Sequence, residues 1–389
     1  MVVIPAQIVN GFQTAFETDA EPSIYRAPGR VNLIGEHTDY NLGYVLPVAL
    51  EMSCYAAVQP NESRELRIFS REFQSHFSIG VDKIAEAKPQ GQWHDYVVGV
   101  ARELVKLNIP LAGADLYIRS EVPSGSGLSS SASLEMSCAC ALLGNRKIEP
   151  LELALLGQRA ESQFVGVPTG IMDQYASVFG REDAAIKIDC RSLQHEYVSL
   201  PEGVSVLAVN SLVKHELGSS AYRERVKECR AAVEALQLTD PSVQSLRDAT
   251  LDFFTRVQET VPPVPRQRAR HVITENERVV EFAAAARAGD LEAMGRLFVA
   301  SHRSMQYDYE ISCEEIDFLV DSAIRIPSVY GARMTGGGFG GCTVNLVKAG
   351  AEDEFRQEIR DAYEAKYGIT ALFYDCKPAN GAGLYAPAA

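Results

Sequence analysis

The sequence predicts a mixed α+β fold, and three observations support that class. The chain has 389 residues, of which 46% are hydrophobic, so a sizeable core is available. Short apolar runs indicate strands, and longer segments with apolar residues at helical spacing indicate helices. These elements come in clusters rather than in regular βαβ alternation. We expect two lobes, residues 1–200 and 201–389.

In the first half, period-two alternation and buried apolar runs predict the strands, and helical spacing with Gly or Pro at the ends predicts the helices. The predicted elements are, in order, strands at 31–34, 55–58, 66–70 and 115–118, helices at 93–107 and 133–143, a helix beginning at Pro150 and reaching Gly166, and a strand at 184–188.

In the second half, the helices are separated by Gly-Asp at 289–290 and by polar breaks, while a segment rich in Pro and Val is interpreted as a loop. The predicted elements are a strand at 205–210, a helix at 221–236, a loop at 259–265, helices at 275–288, 291–305 and 313–326, and strands at 343–347 and 369–374.

Charge and composition exclude several classes of function. Lys and Arg number 37 against 51 Asp and Glu, a net charge of −14, which argues against a nucleic-acid or anionic-membrane surface. No apolar run is long enough to span a bilayer, and the N-terminus lacks a basic region and cleavage site, so no signal peptide is expected. Eight cysteines without metal-site spacing indicate reduced thiols. We expect a cytoplasmic protein that acts as a monomer.

One loop has the composition of an anion-binding site. It runs from Gly125 to Ser131 (here the Gly-Ser loop) and leads directly into an apolar helix. Glycine allows close backbone approach, and N–H groups at a helix N-terminus favour anions. A Ser-capped helix after a turn is the plainer interpretation. The loop is neither a Walker A motif nor a dinucleotide fingerprint.

Three further segments carry polar or glycine-rich clusters. Five glycines in residues 336–341 (the glycine cluster) indicate backbone packing against a ligand rather than a flexible linker. Residues 36–41 (the acidic turn) place two carboxylates and a histidine after a short strand that begins near Arg30, which suits sugar hydroxyls but also a solvated turn. Asp173 lies in a turn set by Pro168 and Gly170 and is, taken alone, more typical of a helix cap. By itself, Glu161 is expected to be a surface acid.

Together these segments favour phosphoryl transfer, and they resemble a known family. Residues 30–47 resemble the sugar-binding signature of galactokinases, Val122–Ser133 the ATP loop of the wider GHMP family of small-molecule kinases, 333–342 its third motif, and 170–174 its catalytic turn. The motifs occur in the family's order across nearly the whole chain. The resemblance implies the two-lobed GHMP kinase fold with the active site between the lobes.

The resemblance also implies roles for individual residues. Asp173 would accept the proton of the anomeric hydroxyl or orient that hydroxyl, and Arg30 would hold Asp173 in its charged form and stabilise the transferring phosphoryl group. The implied sugar-binding residues are Glu36, His37, Thr38, Asp39, Gly170, Asp173 and Tyr222. The implied nucleotide-binding residues are Trp93, Gly125, Ser126, Gly127, Leu128, Ser129, Ser130 and Ser131, with Ser131 and Glu161 as Mg²⁺ ligands. Trp93 is otherwise interpreted as a core residue.

The implied reaction is the transfer of a phosphoryl group from ATP to D-galactose. An N-acetylgalactosamine kinase and a non-catalytic galactose sensor of the same family are the alternatives. Thr38, Asn41 and Gly43 fit the galactose pattern, and Ser131-Ala132 favours catalysis over sensing. One departure from the family is visible, since Arg223-Glu224-Arg225 follows Tyr222 where relatives carry two adjacent arginines.

Overall fold

The computed structural model describes residues 5–214 and 218–385 and confirms the mixed α+β class. Residues 1–4, which underlie the expectation that no signal peptide is present, lie outside the described residues. The helices, in chain order, are α1 Pro5–Phe16, α2 His94–Lys106, α3 Ser130–Leu143, α4 Pro150–Arg159, α5 Met172–Phe179, α6 Gly218–Gln237, α7 Leu251–Val257, α8 Pro263–Ala288, α9 Leu291–Tyr307, α10 Glu314–Ala323 and α11 Glu352–Tyr367.

The strands form three sheets. In chain order they are β1 Ser23–Asn32, β2 Tyr44–Val45, β3 Pro47–Pro60, β4 Glu65–Ser70, β5 Ser75–Gly80, β6 Ala114–Ser120, β7 Ala185–Asp189, β8 Gln194–Val198, β9 Val204–Lys214, β10 Val329–Thr335, β11 Gly340–Lys348, β12 Leu372–Asp375 and β13 Gly383–Leu384. The first sheet has the order β13-β1-β3-β6-β4-β5, the second β10-β11-β9-β12 and the third β2-β7-β8. Only β4 and β6 pair in parallel among these strands.

The predicted lobe boundary near residue 200 falls between β8 and β9, and two features of the fold cross it. The C-terminal strand β13 pairs with β1, with Tyr25 opposite Leu384. One hydrophobic core also joins residues from both sides, such as Leu33 and Val48 with Val344 and Phe298. The division into residues 1–200 and 201–389 therefore stays a prediction.

The predicted loop at 259–265 was wrong in its second part. Helix α8 begins at Pro263, twelve residues before the predicted start. Proline is tolerated in the first turn of a helix, because the N–H that it lacks would have no intrahelical partner there. The predicted strand at 31–34 also began too late, since β1 already starts at Ser23.

Five chain segments converge where the motifs lie. Strand β1 carries Arg30, the Gly-Ser loop leads into α3, and α5 begins at Met172. The glycine cluster is the turn between β10 and β11, and Tyr222 lies in the first turns of α6. Within the described residues, no helix combines the length and the apolar character needed to cross a membrane.

Candidate active site

Asp173 is held by a cation and a hydroxyl from two other motifs. Arg30 Nε and Nη2 lie 2.9 and 2.8 Å from Asp173 Oδ1, and the Ser129 hydroxyl donates to Oδ2 at 2.6 Å. Arg30 is buried, and its guanidinium also donates to the Gly127 carbonyl. Charge-assisted bonds of this kind fix a carboxylate strongly. The structure thus brings together the acid and the arginine that the sequence paired.

Asp173 opens onto a small cavity of about 130 Å³. Its lining includes most of the residues that the resemblance assigned to the sugar, namely Glu36, His37, Asp39, Gly170, Asp173 and Tyr222. Arg30, Thr169, Met172, Gly336 and Gly337 complete the lining. Gly170 has a steric reason to be glycine, because a Cβ there would lie 2.1 Å from Asp39 Oδ2. Five separate chain segments therefore converge on one polar cavity.

Thr38 is the exception among the assigned sugar residues. It is fully buried, it does not line the cavity, and its hydroxyl donates toward the backbone carbonyls of Gly35 and Tyr44 at 2.9 and 2.5 Å. Those bonds close the acidic turn. The geometry gives Thr38 a structural task in shaping this turn.

The carboxylate of Glu36 is bound on several sides by the protein. Oε1 accepts the Gly336 N–H at 2.6 Å, Oε2 accepts from the Asn32 amide, and Arg333 Nη2 lies 3.7 Å from Oε1. Burial raises the pKa of Glu36, while Arg333 and Arg30 act in the opposite direction. Glu36 therefore ties the glycine cluster to the acidic turn.

A buried ion pair holds the backbone that precedes the acidic turn. Arg333 is 0% exposed, donates to the Leu33 carbonyl at 2.6 Å and lies 3.8 Å from Glu275 of α8. Glu275 accepts the Gly35 N–H at 2.9 Å and the Ser301 hydroxyl at 2.7 Å. Sequence reasoning missed this pair. Arg333 lies among apolar residues of β10 and could have signalled a buried partner, because unpaired buried charges are costly, but Glu275 lies in a polar stretch of α8 that gives no such signal.

His37 is neutral, and its tautomer follows from its partners. Its Nε2 lies 3.3 Å from the Gly337 carbonyl, which can only accept, so Nε2 carries the hydrogen. Nδ1 then accepts from the Tyr40 hydroxyl at 2.7 Å, and Tyr40 accepts from Tyr309 at 2.7 Å. Burial, with a contribution from nearby cationic groups, lowers the pKa of His37 to about 3. The Tyr222 ring centroid lies 5.0 Å from that of His37.

Asp39 shares the cavity with the charge of Asp173. Burial first, and then the neighbouring Asp173, raise the pKa of Asp39 to about 7, against a smaller lowering by Arg30. The folded protein therefore holds a proton that the unfolded chain releases near pH 4.

This proton gives a testable pH dependence. Because the folded-state pKa of Asp39 is raised, the stability from its protonated form is present below about pH 4 and is lost as pH rises through about 7. We expect Asp39→Asn to become more stable relative to wild type across that window, by up to about 1.4 kcal/mol per pH unit. Urea unfolding of both ligand-free proteins at about pH 5 and 7 measures the difference. A difference that does not change with pH would contradict the expectation.

Gly125, Ser130 and Ser131 of the Gly-Ser loop line a second, larger cavity of about 480 Å³. The second cavity is lined by Glu72, Phe73, Trp93, Tyr96, Pro123, Ser124, Gly125, Ser130, Ser131 and Leu134, among others. Trp93 is half-buried and stacks on Phe73 with ring centroids 5.6 Å apart. The N-terminus of α3, which favours anions, begins at Ser130.

The residues of the Gly-Ser loop make different kinds of contact. Leu128 turns its side chain into the core while its carbonyl accepts the Arg30 N–H at 3.0 Å. The Ser126 hydroxyl donates to the Pro123 carbonyl at 2.7 Å, and Ser129 has a left-handed backbone with φ of 61°. Ser129 was assigned to the nucleotide, but its hydroxyl contacts Asp173. Gly127 packs against Gly336, because a Cβ added to Gly336 would lie 2.9 Å from the Cα of Gly127.

Glu161 is not the surface acid that its own sequence context indicated. It is 4% exposed and lies in a π-helical turn, Ala160–Val165, that extends α4 and ends at Gly166. Such turns often occur at functional sites. Burial, and then the charge of Asp173, raise the pKa of Glu161 to about 7, while hydrogen bonds from Ser131 and Gln174 favour the charged form. Burial came from tertiary packing and could not be derived from the helix pattern.

The two arginines after Tyr222, which are not adjacent as they are in the family pattern, have different surroundings. Arg225 donates to the carbonyls of Tyr309 and Glu310 at 2.7 and 2.9 Å and pairs with Glu228 at 3.0 Å. Arg223 is exposed. The second arginine therefore anchors α6 behind the cavity rather than lining it.

Three family models match the chain, and the matched segments contain the motifs in their order along the sequence. Residues 10–60 match the galactokinase galactose-binding signature, 95–181 the N-terminal domain of GHMP kinases, and 282–365 their C-terminal domain.

Curated relatives and solved structures agree with these matches. The chain is 45% identical over 362 residues to a galactokinase of Roseiflexus sp., covering 92% of each chain, and 46% identical to one of Chloroflexus aggregans, covering 93% and 92%. It superimposes on a crystal structure of Lactococcus lactis galactokinase complexed with galactose with a TM-score of 0.94 at 34% identity, covering 98% and 99% of the two chains. A Methanococcus jannaschii mevalonate kinase shares the fold alone, with a TM-score of 0.69 at 19% identity and coverage of 93% and 100%. The chain belongs to the galactokinase family of GHMP kinases.

Proposed function

We propose that this chain transfers the γ-phosphoryl group of ATP to the anomeric hydroxyl of D-galactose, giving α-D-galactose 1-phosphate and ADP. The observation that carries the proposal is the position of Asp173. It is bound by Arg30 and Ser129 at the point where the sugar-signature cavity meets the Gly-Ser loop. The family membership and the galactose-complexed relative support galactose as the substrate.

The proposed chemistry needs little covalent work from the protein. The galactose C1 oxygen attacks the γ-phosphorus, the bond between that phosphorus and the β,γ-bridging oxygen breaks, and the hydroxyl proton passes to Asp173. The transition state is expected to be loose, so positioning and charge stabilisation contribute most. Arg30 lies beside the carboxylate and supplies a positive charge for the transferring group. Glu36, His37, Asp39, Gly170 and Tyr222 are the proposed sugar contacts, and Thr38 shapes their turn.

The nucleotide is proposed to occupy the larger cavity, with its phosphates on the Gly-Ser loop. Trp93 would line the adenine end, and the backbone of Gly125 to Ser131 would surround the phosphates. The two cavities meet at this loop, since Ser129 contacts Asp173 while Ser130 and Ser131 line the larger cavity. The polar sugar site and the phosphate site are therefore adjacent, as direct transfer requires.

Ser131 and Glu161 fit a Mg²⁺ ion. Mg²⁺ prefers oxygen ligands and keeps several waters, so a hydroxyl and one carboxylate are enough beside substrate phosphates. The nearby carboxylate of Glu135 has a buried Oε1 with no partner, which marks this region as one that a cation or its waters would complete. When bound, the ion would neutralise charge on the phosphate oxygens.

We propose a cytoplasmic location for the protein. All eight cysteines lie in the described residues, they are unpaired, and seven of them are buried, which supports the proposed reducing cytoplasm. A monomeric enzyme remains our proposal from the sequence.

One assay tests the function and its alternatives. ADP release would be measured with galactose, N-acetylgalactosamine, glucose, arabinose and mevalonate under the same conditions. We expect turnover with galactose well above the others. Preference for N-acetylgalactosamine would identify the sibling kinase, and galactose binding without ADP release would identify a sensor.

A further inference from the structure

A second buried acid lies near the proposed metal ligand Glu161, and the sequence motifs assign it no role. Glu135 is 0% exposed and is the lone charged residue of α3, in a helix otherwise made of apolar and small polar side chains. Ser131 and Glu135 are four residues apart, so both lie on the same face of that helix. Burial raises the pKa of Glu135 well above its ordinary value, and the charge of Glu161 adds to this.

A single amide joins the two acids. Gln174 Nε2 donates to Glu161 Oε2 at 2.7 Å and to Glu135 Oε2 at 2.8 Å, and Gln174 is also 0% exposed. Both hydrogens of the amide nitrogen are therefore used on carboxylates.

Packing leaves this amide little freedom. Gly157 of α4 lies against it, since a Cβ there would meet Gln174 Cγ at 2.9 Å and Met136 Cε at 2.2 Å. Glu135 Oε1 and Gln174 Oε1 are buried without partners. Unsatisfied buried polar atoms destabilise a fold, so a purely structural contact would not be expected to leave two of them.

The position of Gln174 in the chain adds a functional link. It follows Asp173 directly in the first turn of α5. One rigid turn of helix therefore presents the catalytic acid to the sugar cavity and the amide to Glu161.

We propose that Gln174, anchored by Glu135, is a positioning residue that holds the Glu161 carboxylate at the metal site and fixes its place relative to Asp173. This inference rests on the proposed role of Glu161 toward Mg²⁺. Residues that orient metal ligands typically contribute about 10–100-fold to metal affinity.

The test measures metal binding without turnover. Calorimetry would compare ADP binding with and without Mg²⁺ for wild type, Gln174→Met, Glu135→Leu and Glu135→Gln. Methionine keeps the length of glutamine and removes the amide. We expect Gln174→Met and Glu135→Leu to lose about 10-fold or more of the Mg²⁺-dependent gain in ADP affinity, while metal-free ADP binding and galactose binding stay near wild type. Glu135→Gln keeps an acceptor for the Gln174 amide, so it should retain most of the gain.

Two comparison variants separate the possible failures. Gln357→Met makes the same change at an exposed amide on α11 that bonds Asp361, and it should leave metal affinity unchanged. Glu161→Gln should abolish most of the Mg²⁺-dependent gain. If Glu161→Gln has no effect, the proposed metal role of Glu161 is wrong, and this inference falls with it. If Glu161→Gln lowers the Mg²⁺-dependent gain in ADP affinity but Gln174→Met does not, the positioning role alone is overturned. The same holds if Gln174→Met weakens the binding of metal-free ADP and of galactose as much as it weakens the Mg²⁺-dependent gain.

Discussion

Replacing Asp173 with asparagine should lower kcat for galactose phosphorylation by more than about 10²-fold, the range expected when a positioned proton acceptor is lost. Galactose should still bind, because the amide keeps the shape of the carboxylate. Its oxygen can accept from Arg30, and its NH₂ group can donate to the Ser129 oxygen. What the variant lacks is a group that can take the hydroxyl proton.

The same variant decides between two roles for Asp173. If the acid only orients the C1 hydroxyl, the asparagine oxygen can accept the same hydrogen bond and kcat should fall little. If the acid takes the proton, the loss should be large at any galactose concentration. Steady-state kcat, together with calorimetric galactose affinity in the presence of a non-hydrolysable ATP analogue, measures both quantities.

Ser129→Ala is the matched control. It removes one hydrogen bond to the Asp173 carboxylate, which is 2.6 Å long, but leaves the acceptor and its pairing with Arg30 in place. We expect a clearly smaller loss of kcat than for Asp173→Asn. Near-normal kcat in Asp173→Asn would mean that transfer rests on Arg30 and the phosphate-binding groups, without an acid that accepts the proton.

The motifs were predictable from the sequence because their residue types are local signals. Each motif can be read from a few consecutive residues: a group of glycines, a short run of acids, or a serine-rich start of a helix. The pairing of Arg30 with Asp173 followed from family resemblance, since 143 residues separate the two in the chain.

The remaining features depend on tertiary packing. Glu161 is a surface acid by its helix pattern, yet it is buried and accepts hydrogen bonds from Thr169 and Gln174. The Glu135 and Gln174 contact needs two helices to meet, although one acid in an apolar helix was a readable signal. Helix α11 was missed even though Phe355, Ile359 and Tyr363 recur every fourth residue on its buried face. Its otherwise polar composition hid that stripe.

The glycine cluster has a geometric reason to be glycine. Gly336 has a φ of +90°, and an added Cβ would lie 2.9 Å from Gly127 Cα and 3.0 Å from the Gly127 carbonyl oxygen. Its N–H donates to Glu36 at 2.6 Å. The backbone of this one residue therefore touches the Gly-Ser loop and the acidic turn at once.

Gly336→Val should reduce kcat/KM by more than about 10²-fold, the loss that a displacement of about 1 Å can cause at a catalytic site. A β-branched side chain both opposes the left-handed backbone and pushes against Gly127. Because the contact reaches both motifs, the KM values for ATP and for galactose should both rise while kcat falls. Steady-state kinetics with each substrate varied in turn would measure this.

Gly350→Val separates backbone strain from the contact. Gly350 has a nearly identical φ of +89°, but nothing lies within 4 Å of an added Cβ there. The strained left-handed backbone should therefore lower the free energy of unfolding of both variants by a similar amount, about 1–2 kcal/mol in thermal or urea unfolding. The clash with Gly127 should add a further loss in Gly336→Val alone. Gly350→Val should keep its activity within a few fold at temperatures where it is folded. Similar activity in both variants would mean that the glycine cluster is a permissive turn, and that the Gly-Ser loop and the acidic turn hold their places without it.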